Sequence, residues 1–266
     1  MTSSNFARLY LLCFKSHTTN DLSLRLNSVS LFSIEFMGNV ASALPQERAK
    51  FIQNTYFHLA GAIAAFIVVE YLFFKIGFAE VLFNLAYSSR FAWFIFLGGF
   101  SILGWLSREL TAQADNVNLQ YIGLGVYIVG EALIFAPILF IAQYYTGDPN
   151  LLPTAAILTL FLFGGLSLVA FTTKKDFSFL GSILKVGGFV ALGLIVCSVL
   201  FGFQLGIIFS GAMIIFACGA ILYDTSNIIH RYRPRQHVAA SLQLFASVAL
   251  LFYYVVRILI QLSSRD

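Results

Sequence analysis

Long apolar runs separated by short polar connections restrict this chain more than any other feature. They cover 56–76, 91–107, 119–143, 151–171, 179–201, 205–224 and 238–262. Each approaches or exceeds the roughly 20 residues that a helix needs to cross a hydrocarbon core about 30 Å thick. In lipid every backbone polar group must be satisfied within the segment, so runs of this length imply helices. Composition agrees: 59% of the 266 residues are hydrophobic and 11% are charged, whereas a soluble domain carries about 25% charged residues. The expected fold is therefore an all-α polytopic membrane bundle of about seven transmembrane helices. The connection at 202–204 is so short that the fifth and sixth runs read either as one kinked unit or as two crossings joined by a tight turn; their combined length favours two. Counts of six or eight are compatible with the same runs.

Lys and Arg in the connections suggest an orientation. With the N-terminus inside, Arg48, Lys50, Arg108, Lys174, Lys175, Arg231, Arg233 and Arg235 fall on the inner side, and Lys75, Arg90 and Arg265 on the outer. The expected arrangement is an N-terminal cytoplasmic lead-in over 1–55, a seven-helix domain over 56–266, and an external C-terminus. Within the lead-in, 1–36 mix polar residues with short apolar runs and form neither a span nor a clear signal peptide. Met37 opens a plainer polar stretch, so 1–36 read either as an upstream extension of the frame or as a peripheral tail. No basic run interleaves with exposed aromatics, which excludes nucleic acid as an expected partner. Cys13, Cys197 and Cys218 form no CxxC, and His17, His58, His230 and His237 lack metal-ligand spacing, so neither a disulfide framework, a metal site nor a cofactor is expected.

The residues that are expensive to bury carry the functional information. A charge at the bilayer centre costs about 2.5–3.5 kcal/mol on insertion scales, and such side chains face the bundle interior. Glu131 lies midway along the third run and reads either as a proton or cation site or as a hydrogen-bonded structural carboxyl. Asp224, in Leu222-Tyr223-Asp224-Thr225-Ser226-Asn227, is expected near the end of the sixth run, where the plainer reading is a helix-terminal carboxylate; Asn227 shares its face. In the last run Gln243, Ser247, Tyr254, Arg257 and Gln261 are spaced as one polar stripe. Arg257 would pair with Glu70 or Glu131, or snorkel outward. Glu70, with Lys75 five residues on, is a secondary candidate with a more interfacial reading. No metalloprotease, P-loop or nucleophile-elbow motif occurs, so an enzyme is not expected.

Over about 37–266 the chain resembles the Bax inhibitor-1/YccA family of multi-pass membrane proteins. The stretches that carry the resemblance are Glu47-Arg48 with Thr55-Tyr56, the run YIGLGVYIVGEALIFAP from Tyr121 to Pro137, Asp176-Phe177-Ser178, LYDTSN from Leu222 to Asn227, and the terminal Ser264-Arg265-Asp266. The resemblance implies a seven-helix bundle with the last helix central and a place in a bacterial inner membrane. It also implies one of two roles: regulation of membrane-protein quality control through an FtsH-type protease, or a pH-dependent calcium leak. The leak reading would bring calcium or protons to candidate positions Asp224, Glu131, Ser247, Arg257 and Asn227. The family's leak uses two facing aspartates in the last two helices. Asp224 matches the first and Ser247 stands at the second, a departure that tilts the expectation toward regulation.

Overall fold

The computed structural model describes residues 44–89, 91–112, 116–173, 175–233 and 235–263. The readings for 1–36 and Met37, the charges Arg90, Lys174 and Arg265, and the terminal Ser-Arg-Asp all lie outside them. Helices account for nearly all of what is described: α1 Pro45–Lys75, α2 Phe78–Ser88, α3 Ala92–Ala112, α4 Val117–Tyr144, α5 Leu151–Thr173, α6 Leu180–Phe201, α7 Ile207–His230 and α8 His237–Ser263. Six of them are long and apolar enough to cross a membrane. A seventh span is formed if α2 and α3, bent by 118° about their short break, count as one.

The helices differ from the apolar runs mainly at their ends. α1 starts at Pro45, well before Tyr56, because Phe51 and Thr55 fall in phase with Leu59, Ala62, Phe66 and Glu70 along one buried stripe. A proline in the first turn, where its missing N–H is no loss, helps start it. The helix stops before Gly77, whose φ of 77° suits glycine. The stretch beyond is not a plain connection but α2, which buries Ala79, Leu82 and Ala86 against α4. Gly202 takes the left-handed conformation at the C-terminus of α6, with φ 75°, and so separates the fifth and sixth runs into two helices. α7 continues past Asp224 to His230 because Ile228 and Ile229 are buried at 0% and 2% exposure. Asp224 is therefore an intrahelical residue and not a helix-terminal one.

α4 and α8 form the centre. α8 packs on α1, α3, α4, α5 and α7, and α4 packs on α1, α2, α3, α5 and α8. Between them Phe135 stacks on Phe252 with centroids 5.7 Å apart and meets Phe66 and Tyr253 edge-on. At the α3–α4 crossing a Cβ on Gly123 would stand 2.8 Å from the Ser107 carbonyl oxygen, so only glycine allows this approach. Pro137 lies inside α4 and leaves the Leu133 carbonyl without its helical partner. α6 is peripheral: it packs on α7 and turns Phe189 and Phe201 outward, as a lipid-facing helix does.

Candidate functional site

The α7–α8 contact carries a buried polar pair. Asp224 and Ser247 are 2% and 5% exposed, and the Ser247 hydroxyl donates to Asp224 Oδ2 at 2.5 Å. Gln243, one turn before Ser247 on α8, also reaches the Asp224 side chain. The position that would hold a second carboxylate thus supplies a hydroxyl donor, and a buried carboxylate with donors aimed at it is a satisfied group.

The turn that holds Asp224 is polar throughout. Ser226 is buried, and its Oγ accepts the Phe177 backbone N–H at 3.0 Å, which ties the α5–α6 connection to α7. In that connection the Ser178 N–H donates to Asp176 at 2.9 Å and holds this exposed carboxyl below the usual range. Thr225 is fully buried and faces the Tyr56 hydroxyl of α1, which also faces Ser167 of α5. None of these three oxygens is in hydrogen-bonding geometry. Asn227 is half-buried, with its Oδ1 enclosed and unpartnered. Tyr232, just after α7, has its hydroxyl pushed upward by burial first and by the Asp224 charge second.

Glu131 is 6% exposed and lies beside the hydroxyl of Tyr127, one turn earlier on α4. Tyr127 also lies in the field of Arg108 and Asp224. Arg108 folds back along α3, its Nε donating to the Gly104 carbonyl at 3.0 Å. Tyr127 therefore lies beside Glu131 and within electrostatic range of Asp224. Sequence reasoning passed it over because one more tyrosine in an aromatic-rich chain gives no signal; its offset of four residues from Glu131 was the available clue.

Arg257 stands apart from this cluster. Its Nη2 donates to the Leu205 carbonyl at 3.2 Å, Gln261 Nε2 donates to the same oxygen at 3.2 Å, and Ser210 donates to Gln261 at 3.0 Å. Leu205 precedes the first turn of α7 and Asp224 lies in its last two turns, roughly 25 Å further along at 1.5 Å per residue. Glu70 is 6% exposed, and both of its oxygens are buried without a hydrogen-bond partner. The polar stripe of α8 faces inward, with Ser247 and Tyr254 buried and Gln243, Arg257 and Gln261 half-buried. Among the described residues no three His, Cys, Asp or Glu side chains converge in a metal-binding group.

An all-helical bundle with apolar outer faces and carboxylates enclosed at its centre defines a polytopic membrane protein. The sequence matches the family described as inhibitor of apoptosis-promoting Bax1 over residues 48–264, and the chain belongs to that Bax inhibitor-1 family. It is 32% identical to an uncharacterized protein of Pseudomonas aeruginosa over 84% of this chain and 95% of that one. It is 35% identical to Bax inhibitor 1 of Schizosaccharomyces pombe over 42% of this chain and 43% of that one. It is 29% identical to the Golgi anti-apoptotic protein of Vaccinia virus over 56% of this chain and 62% of that one. No solved structure matches the chain.

Proposed function

We propose that this protein is a proton-sensitive cation leak, closed by the contact between Asp224 and Ser247. The observation that carries the reading is the enclosed carboxylate bonded across the α7–α8 interface. A change of protonation at Asp224 alters its bond to Ser247 and so loosens or tightens the two helices at that level. Glu131 and Tyr127 extend the polar file through α4, and calcium or protons are the expected passengers. The role is not enzymatic. The expected site is a bacterial inner membrane with the N-terminus inside, a placement supported by Lys175, Arg231, Arg233 and Arg235, which are exposed in the two connections flanking the Asp224 turn. Calcium flux into liposomes carrying the purified chain, measured across a range of pH, tests the leak. Flux should exceed that of empty liposomes, vary with pH, and lose that variation in Asp224→Ala. Flux no higher than empty liposomes, or an unchanged pH profile in Asp224→Ala, refutes it.

A second reading, regulation of an FtsH-type membrane protease, draws on the family resemblance and on the exposed polar start of α1 at Pro45, Gln46 and Glu47, a segment such a protease could grasp. Association with the protease and slower turnover of its substrates would support this role. Absence of both would end it.

A further inference from the structure

Two histidines far apart in sequence meet where α1, α4 and α8 come together. The rings of His58 on α1 and His237, the first residue of α8, have centroids 4.8 Å apart. His58 Nδ1 lies 2.7 Å from the Asn54 carbonyl oxygen. A carbonyl only accepts, so Nδ1 carries the hydrogen and Nε2 keeps its lone pair. That lone pair faces the Tyr121 hydroxyl of α4 at 2.6 Å, which donates to it. An imidazole whose N–H is held by a backbone carbonyl, leaving the opposite nitrogen as the acceptor, is the arrangement that orients metal-binding histidines. Both rings are half-buried and Tyr121 is 45% exposed, so an ion could enter from water and keep water in its remaining positions.

We propose that His58 and His237, with Tyr121 alongside, form a binding site for one divalent transition-metal ion. Imidazole ligands suit zinc, nickel and cobalt, while calcium and magnesium prefer oxygen sets. The ion takes the Nε2 lone pair of His58 and a ring nitrogen of His237. The Tyr121 hydroxyl either swings away or ligates as phenolate, releasing its proton to water. The occupied site would clamp the first half of α1 to the start of α8, adding a bond to a contact where Leu59 and Ala62 already share a core with Val238 and Ala240.

The test uses the full chain in detergent, titrated with cobalt chloride and followed by visible ligand-field absorption, and then by thermal unfolding with zinc chloride. The expected result is saturation at one cobalt per chain, a higher melting temperature with zinc, and at least about tenfold weaker binding in both His58→Gln and His237→Gln. Both variants should still unfold cooperatively, and zinc should no longer raise their melting temperatures. Absence of saturable binding, affinities unchanged in the two variants, or a thiolate charge-transfer band assigning the ion to cysteine would each overturn the proposal.

Discussion

The bond between Ser247 and Asp224 makes a quantitative prediction. Ser247→Ala removes the hydroxyl donor from a carboxylate that is 2% exposed, while Gln243 stays in reach. A hydrogen bond to a charged group contributes about 1.5–3 kcal/mol in water-soluble proteins. Between membrane helices polar pairs average about 0.6 kcal/mol and reach about 1.7, because the separated helices also find partners. A buried, charge-assisted pair with one donor left belongs near the upper part of the membrane range. The expected coupling energy is therefore about 1–1.5 kcal/mol, close to a tenfold change in the unfolding equilibrium. The assay is a double-mutant cycle of Ser247→Ala and Asp224→Ala, with reversible unfolding in mixed micelles. Ser241→Ala is the control, because that hydroxyl donates to the Val238 carbonyl of its own helix at 2.8 Å and should show no coupling to Asp224. A Ser247–Asp224 coupling as small as the Ser241 control would refute the argument that this bond joins α7 to α8.

Further expectations concern positions outside that pair. A Cβ on Gly181 would lie 2.8 Å from the Tyr223 ring, so Gly181→Ala should destabilise by about 1–3 kcal/mol, and Tyr223→Ala in the same chain should recover part of the loss, both read as melting temperatures in detergent. Gly123→Ala meets the backbone of α3 at 2.8 Å whereas Gly125→Ala meets nothing within 4 Å. The first should unfold at a lower temperature, and the second should match or exceed wild type by up to about 1 kcal/mol. Asp176 has a native pKa below its ordinary value, so its bond to Ser178 contributes fully above the ordinary value of about 3.9 and is lost as pH falls through the native one. The stability difference between wild type and Asp176→Asn should be constant near neutrality and diminish below about pH 4, measured by unfolding at a series of pH values.

The bundle was legible in the sequence because a hydrocarbon solvent leaves few ways to satisfy a backbone, and apolar length alone then fixes helices. Where amphipathic phase took over from bulk hydropathy, length misled. The first turns of α1 look polar in a window average, yet Phe51 and Thr55 continue its buried stripe, and α2 hides three buried positions in what reads as a connection. Asp224 and Ser247 could be placed opposite each other through family resemblance, but the Asp224 turn read as a helix end because Thr225, Ser226 and Asn227 are polar. The burial of Ile228 and Ile229 outweighs them. The carbonyl that Arg257 reaches was invisible, since Leu205 lies in the connection before α7 and the sequence does not record which backbone oxygens outside the helical ladder remain open. The approach of His58 to His237 depends on which helices are neighbours, and spacing along one chain does not record that.

The hydrogen bond from the Phe177 amide to Ser226 makes the α5–α6 connection an indicator of what happens two residues away at Asp224. The connection cannot shift without either giving up that bond or carrying the α7 turn with it. Lys175, exposed two residues before Phe177, is thus a place where a dye would report rearrangement at the buried acid from outside the bilayer, without touching the acid itself.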